Sequence, residues 1–231
     1  MVFNNIRTKE QFAGRISNQI ETDSLSIINL LNNNSFLEKY ELNSQNVMVM
    51  FIPNTYELYW NTSAEKLFER MNHEYKKFWN EERTDKAAAV GLTTVEISIL
   101  ASIVQSETNK KDEMARIAGT YINRLNKGML LQADPTVVYA LGDFTIKRLL
   151  SKHLEIDSPY NTYKYTGLPP GPITIPDATT IDKVLNYEKH DYLFFCARED
   201  LSGYHAFAKT LAEHSANAKK YQKALDKMNI R

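Results

Sequence analysis

Cysteine is almost missing from this chain. Cys196 stands alone among 231 residues, so no internal disulfide can form and no C-x-x-C pair is present to hold a metal. A single cysteine in the apolar run Tyr192–Ala197 reads as a small buried hydrophobe rather than a nucleophile. Net charge is also missing: Lys plus Arg and Asp plus Glu both number 28, with no long basic block. Nothing therefore marks the chain as a nucleic-acid binder. No apolar run approaches the roughly 20 residues of a membrane span. Met1–Arg15 alternates polar and apolar residues where a signal peptide would be apolar. H-E-x-x-H, Walker-type glycine loops, G-x-G-x-x-G and G-x-S-x-G are absent, and with them the familiar signals of zinc, nucleotide and serine-hydrolase chemistry. His73, His153, His190, His205 and His214 lack metal-ligand spacing; each alone is more often structural than catalytic. No internal repeat or low-complexity tract is present.

What is present is an ordinary globular composition, 43% apolar, long enough for one domain or a domain with a small appendage. Thr8 with Gln11 forms a capping-box pattern for a helix to about Ile20. Ser24 and Ser35 are caps for two more, with an Asn-rich turn at Asn32–Asn34. Val47–Ile52 reads as a buried strand stopped by Pro53-Asn54. The aromatic Thr55–Trp60 segment suits either core packing or a sugar-facing surface. Ser63 opens an amphipathic helix to about Glu82, with Leu67, Met71, Tyr75, Phe78 and Trp79 on one face.

The central segment carries most of the information. Thr93 and Glu96 form a capping box for a helix through about Thr108. Ile97, Leu100, Ala101 and Val104 make its interior stripe, and the next position of that stripe is Glu107. A carboxylate there is partly desolvated, which favours its protonated form. Ser98, Ser102 and Gln105 align on a second face, placing small polar groups beside the same helix end. A further helix over Asp112–Lys127 packs against the first through Met114, Ile117, Ala118, Tyr121, Ile122 and Leu125, and stops at Gly128. Asp134-Pro135 reads as a cap and first helical residue, Gly142 as the stop, and Thr145–His153 as another helix. Leu154–Pro176 is an irregular, packed loop of the kind that is usually functional. A helix near Thr179–Asn186, a hairpin of Tyr192–Ala197 and Tyr204–Ala208 turning at Ser202-Gly203, and a helix over Leu211–Met228 complete the chain. His205 and Phe207 share a strand face, which makes His205 the best of the histidines for a substrate role. The fold class expected is α+β: a helical N-terminal part, then a domain with a small, mainly antiparallel sheet packed by helices.

A candidate acid with amides, hydroxyls and tyrosines nearby suits glycosidic chemistry, where a poor leaving-group oxygen must be protonated. Ordinary glycosidases add a second carboxylate. Spacing alone leaves Glu107 open to being a common solvated helix-end glutamate.

The run Ala101-Ser-Ile-Val-Gln-Ser-Glu-Thr108 is similar to the A-S-I-[IV]-E-x-E-T signature of the MltG/YceG family of endolytic peptidoglycan transglycosylases. Arg116-Ile-Ala-Gly-Thr-Tyr-Ile-Asn-Arg-Leu125, Leu131-Gln-Ala-Asp-Pro-Thr-Val-Val-Tyr139, Tyr160-Asn-Thr-Tyr163 and Gly167-Leu-Pro-Pro-Gly171 follow in that family's order. Pro53-Asn-Thr-Tyr56 resembles its P-D-T-Y, and His205-Ala-Phe207 its late H-x-F. The likeness covers about Val47 to Ala218 and reads toward Bacteroidetes-type members.

The resemblance implies cleavage of the MurNAc–GlcNAc bond without water. The sugar's own 6-hydroxyl attacks the anomeric carbon and leaves a 1,6-anhydroMurNAc end. Glu107 would be the single catalytic acid/base. Gln132, Asp134, Tyr139, Asn161, Tyr163 and His205 would line the glycan cleft, and no cofactor or metal is required. Peptidoglycan strands are the implied substrate and peptidoglycan synthases candidate partners. Family members normally begin with one membrane helix and a LysM-like module. Residues 1–46 are therefore expected to be a remnant or flank of that module and 47–231 the catalytic domain. The native protein is expected to be anchored in the inner membrane and to face the periplasm, the anchor lying outside this chain. One departure stands out: the family usually has Glu where this chain has Gln105, so only the second acidic position of the signature, Glu107, ionises here. Two rivals remain. One is a non-catalytic glycan-binding module using the aromatics of Thr55–Trp60 and Tyr160–Tyr165. The other is a pyridoxal-phosphate-dependent aminodeoxychorismate lyase, opposed by the lack of a lysine in an apolar strand beside a phosphate-cradling glycine loop.

Overall fold

The structure, a computed structural model, describes residues 1–146 and 148–228. Its helices in chain order are Lys9–Ser17 (α1), Ser24–Asn32 (α2), Asn34–Leu37 (α3), Ala64–Phe78 (α4), Glu81–Val90 (α5), Thr94–Glu107 (α6), Met114–Asn126 (α7), Asp134–Leu141 (α8) and Ala178–Leu185 (α9). Strands Phe194–Ala197 (β1) and His205–Ala208 (β2) and helix Leu211–Lys227 (α10) follow. Helices dominate and the sheet is one antiparallel hairpin, so the α+β expectation holds. The chain forms two compact units. One is Met1–Ile103 with Leu168–Leu185; the other is Val104–Gly167 with the chain from Asn186 on.

In the first unit the helix starts follow the strongest local acceptor. Thr8 caps α1 by accepting from Gln11 N, but the Gln11 side chain accepts from Arg7 N, so the box closes one residue early. The caps of α2 and α3 are Asp23 and Asn33, not Ser24 and Ser35. Asp23 accepts from Ser26 N (2.8 Å) on one carboxylate oxygen and from Ser26 Oγ (2.9 Å) on the other. The expected helix to Glu82 breaks at Trp79. Trp79 is buried in a non-helical conformation, and Asn80 starts α5 by accepting from Arg83 N at 3.0 Å.

The expected strand Val47–Ile52 is not a strand. Val47–Met50 form a 3₁₀ turn in which all four residues are buried. Asn43 starts it, accepting from Gln45 N and Asn46 N through its side chain and from Val47 N through its carbonyl. A short apolar run buried on every side carries no period that separates strand from helix. These residues feed an aromatic core in which Phe51 meets Phe12 (4.1 Å between centroids) and Phe68 (5.5 Å). Tyr56 stacks on Phe3 within the same core, whereas Tyr59 and Trp60 are 86% and 62% exposed. Of the Thr55–Trp60 aromatics, Tyr56 thus packs in the core, while Tyr59 and Trp60 stand at the surface and do not line the cavity described below. The core is continuous on both sides of residue 46.

α6 opens on the expected box: Thr93 N donates to Glu96 Oε2 (2.8 Å) and Glu96 N to Thr93 Oγ1 (3.2 Å). Ile97, Leu100, Ala101 and Val104 are fully buried. Ser98 and Ser102 do not face a site. Both are fully buried and donate to carbonyls of their own helix, and Ser102 Oγ also accepts from Ile173 N (3.0 Å). They are small, self-satisfied groups that let neighbouring backbone approach.

In the second unit, α7 carries its buried face through Ile117, Ala118, Tyr121 and Ile122, and Gly128 ends it at φ +64°. β1 pairs with β2 in the register Phe195↔Phe207 and Ala197↔His205. In place of a helix over Thr145–His153 there is a 3₁₀ turn, Ser151–Glu155, started by His153 Nδ1 accepting from Leu150 N. Upstream, Thr145 is held in a turn by Asp143. Lys147, inside that expected helix, and the last three residues of the expected 47–231 domain lie outside the described residues.

Gly119 lies in the middle of α7, where Ala would ordinarily be better by about 1 kcal/mol. A Cβ there would meet Glu188 O at 2.3 Å and His190 Nε2 at 2.8 Å. That neighbouring strand of chain is tied to α7 by Glu188 N donating to Ala115 O and by Asn123 Nδ2 donating to His190 O and Tyr192 O. It cannot retreat without losing these bonds. Gly119→Ala is therefore expected to lower stability by about 1–3 kcal/mol, as overpacking does, instead of raising it. Urea unfolding of the two proteins checks the sign.

Candidate active site

The second unit holds a cavity of about 450 Å³, well within the size of ligand sites, lined by Glu107, Tyr121, Arg124, Gln132, Asp134, Tyr163, Cys196, His205 and His214 with Leu131, Phe195 and Ala197. Glu107 is the last residue of α6 and brings its carboxylate to the cavity at the end of the buried stripe. Tyr121 and Arg124, three apart on α7, reach it from one helix face. The Tyr121 hydroxyl donates to Glu107 Oε1.

The electrostatics of this group define its chemistry. Burial raises the Glu107 carboxyl from its usual 4.5 to about 7, with the Asp134 charge adding to the rise and the Tyr121 hydrogen bond and Arg124 opposing it. Burial and the adjacent Glu107 push the Tyr121 phenol well above its usual 10, so it stays a donor. A carboxyl poised near neutrality can give up a proton and take one back, which suits one group to both acid and base steps.

Arg124 is 7% exposed and joins three stretches of chain. Its Nε donates to Leu193 O (2.6 Å), its Nη1 donates to Leu130 O (3.1 Å), Leu131 O (2.8 Å) and Gln132 Oε1 (3.3 Å), and the guanidinium lies 5.1 Å from the Phe194 ring centroid. Gln132 has φ +51°, a left-handed conformation unusual for a side-chain-bearing residue. Its N donates to Thr162 O at 3.0 Å. Thr162 Oγ1 also accepts from Ala133 N and bonds Thr136 Oγ1 at 2.8 Å, locking the 131–136 stretch to the loop. Asp134 opens α8 and accepts from the Tyr163 hydroxyl, whose pKa rises through burial and that carboxylate.

On the hairpin side, His205 starts β2. Its N donates to Glu113 Oε1 and its Nδ1 lies 3.0 Å from Glu113 Oε2, while Phe195 meets its ring edge-on at 5.3 Å. His214 of α10 stacks on Phe194, and burial lowers its pKa. Burial raises the Cys196 thiol, keeping it neutral.

Of the residues expected at the site, Glu107, Gln132, Asp134, Tyr163 and His205 come together around this cavity. Tyr139 and Asn161 do not line it. Tyr139 packs against Tyr160 (4.8 Å) and Phe144 (6.4 Å). Asn161 is fully buried: its amide donates to Leu154 O and Ile156 O, and its Oδ1 accepts from Tyr163 N. It shapes the loop and orients Tyr163. Gln105, two residues before Glu107 on α6 and so on a different face of the helix, is half-buried and also outside the lining.

Sequence reasoning missed Tyr121, Arg124, Glu113, Cys196 and His214. Arg124 carried a signal, since an arginine one turn from Tyr121 on a buried helix face needs acceptors. Glu113 carried none, because its partner lies 92 residues away.

Comparison with known proteins fits this architecture. Residues 1–220 match the model of the YceG-like family. The chain is 40% identical over 165 residues to the endolytic murein transglycosylase of Bacillus subtilis, covering 70% of this chain and 44% of that protein. It is 32% identical over 169 residues to the endolytic murein transglycosylase of Streptococcus pneumoniae serotype 2, covering 71% and 30%. The chain thus spans less than half the length of these curated relatives. Its fold is similar to the 2.6 Å crystal structure of a YceG-like protein from Listeria monocytogenes, with a TM-score of 0.78, 30% identity, and coverage of 93% of this chain and 74% of that one. With the family pattern running through residues 1–220 on a fold shared at this level, the chain belongs to the YceG-like family.

Proposed function

We propose that this chain is an endolytic murein transglycosylase domain. Glu107 carries the reaction; the supporting observation is its carboxyl, raised to about 7 and held by Tyr121 in a cavity that also presents Gln132, Asp134, Tyr163 and His205. Relatives named for this activity support the reading. Protonated Glu107 gives its proton to the oxygen of the MurNAc–GlcNAc bond, and the leaving sugar departs with a new hydroxyl. The resulting carboxylate takes the proton of the 6-hydroxyl, whose oxygen attacks the anomeric carbon and closes the 1,6-anhydro ring. Glu107 then carries one proton again, so the cycle is balanced without water or cofactor. Gln132, Tyr163 and the segment around Asp134 hold the N-acetyl groups, and the carboxylates of Glu107 and Asp134 stabilise the oxocarbenium-like charge.

The substrate is the peptidoglycan strand, which places the domain outside the cytoplasm. On the same reading residues 1–46 are a remnant or flank of a LysM-like module, an inner-membrane anchor precedes it, and peptidoglycan synthases are partners. No single helix among the described residues is long and apolar enough to cross a membrane. Incubation with uncrosslinked glycan strands tests the activity. Size-exclusion chromatography should show strands cut internally into intermediate lengths; disaccharide release from the ends alone, or no cleavage, counts against it.

A further inference from the structure

Glu113 immediately precedes α7, yet its side chain does not cap that helix. It is 5% exposed and directs both carboxylate oxygens at one residue: Oε1 accepts from His205 N at 3.0 Å, and Oε2 lies 3.0 Å from His205 Nδ1. Burying a carboxylate is costly unless its partners are well placed, and here both partners belong to a histidine that lines the cavity. A carboxylate only accepts, so Nδ1 carries a hydrogen. In the neutral ring Nε2 then keeps its lone pair, and with Nδ1 engaged by Glu113 it is the nitrogen that His205 can offer to a ligand in the cavity it lines. Phe195 and Phe207, with ring centroids 5.3 and 6.5 Å from that of His205, brace the imidazole so that it cannot turn freely.

We propose that Glu113 is a positioning residue that holds His205 in its Nδ1–H form, so that Nε2 accepts a hydrogen bond from a hydroxyl or N-acetyl N–H of the bound glycan. The inference rests on the glycan reading of the cavity given above.

Glu113→Gln separates the tautomer from the packing. Glutamine has one acceptor oxygen, and the His205 backbone N–H, which can only donate, claims it. The amide NH₂ then faces Nδ1, which must accept, and the proton moves to Nε2. An amide that cannot match the carboxylate's two acceptors gives the wrong histidine tautomer by the same logic in catalytic triads. Long-range ¹H–¹⁵N spectra of the His205 ring are expected to show Nδ1–H in the unsubstituted protein and Nε2–H in Glu113→Gln. Affinity for uncrosslinked glycan strands, measured by calorimetry in a Glu107→Gln background where turnover is strongly slowed, is expected to fall about 10- to 100-fold with Glu113→Gln, the usual scale for losing an orienting partner.

An Nε2–H ring in the unsubstituted protein overturns the proposal, and that spectrum needs no variant. So does a tautomer switch that leaves affinity unchanged. If Glu113→Gln does not fold, His205→Phe, which keeps a ring against Phe195 and Phe207, supplies the affinity comparison. Strands bound and cleaved normally by Glu113→Gln sink this inference alone. Strands neither bound nor cleaved by any of these proteins sink the glycan reading and this inference with it.

Discussion

Glu107→Gln is expected to lower kcat on uncrosslinked glycan strands by about 10²- to 10⁴-fold, the span typical for removing a positioned general acid, with a much smaller change in KM. Glutamine keeps the shape and still accepts from the Tyr121 hydroxyl, so the loss reports on the proton. The raised pKa adds a pH signature. Glu107 must be protonated to act as acid, so activity of the unsubstituted enzyme should fall as pH rises through about 7. The same shift affects stability, with a sign opposite to that of a salt-bridged carboxylate. Between pH 4.5 and about 7 the folded protein holds a proton that the unfolded chain has released, so stability declines as pH rises across that window. Above it, the folded state carries a desolvated carboxylate. Glu107→Gln should accordingly melt higher than the unsubstituted protein at pH 8, and the difference should vanish below pH 4.5. An inactive variant that is also more stable at alkaline pH is the signature of a site that gives up stability for chemistry.

Arg124→Met should produce the largest loss of stability, about 2 kcal/mol or more, because it leaves the buried Leu131 carbonyl without its donor, at about 1–3 kcal/mol for a buried group that goes unsatisfied, and removes the donor from the part-buried Leu130 and Leu193 carbonyls at a smaller cost. The stack on Phe194 is kept in part by the methionine side chain, so the loss belongs mainly to the hydrogen bonds. Arg124→Lys should not restore it: an ammonium cannot direct donors to Leu193 on one side and Leu130, Leu131 and Gln132 on the other with the fixed fork of a guanidinium. Arg124 also draws the Glu107 pKa down, so its removal should move the alkaline limb of the pH–rate profile upward. Denaturant unfolding and pH–rate profiles of the two variants check both effects.

The parts legible in the sequence were those written locally. The Thr93–Glu96 box and the stripe Ile97, Leu100, Ala101, Val104 lie on one helix, and the next position of that stripe is Glu107. Gly128, Gly142 and Gly203 marked real turns because each takes a positive φ. The failures came where tertiary surroundings decide. Val47–Met50 are apolar on every side, so their pattern had no period to read. Ser98 and Ser102 looked like site groups because helical spacing cannot tell a polar face from small residues buried under another segment. Asn161 and Tyr139 came from resemblance alone. Asn161 acts on the cavity through Tyr163, which its side chain orients, whereas Tyr139 packs away from it. The Glu113–His205 pair required the hairpin to be laid against the start of α7, a long-range contact that no local signal announces.

The central claim is that a single glutamate cleaves the glycan without water, although a second carboxylate, Asp134, lines the same cavity. Mass spectrometry of the fragments made from uncrosslinked glycan strands in ¹⁸O water tests it most directly. The account predicts 1,6-anhydroMurNAc ends with no ¹⁸O incorporated, from the unsubstituted protein and not from Glu107→Gln. Reducing ends carrying ¹⁸O, lost on Asp134→Asn, would contradict it and make the enzyme a two-carboxylate hydrolase.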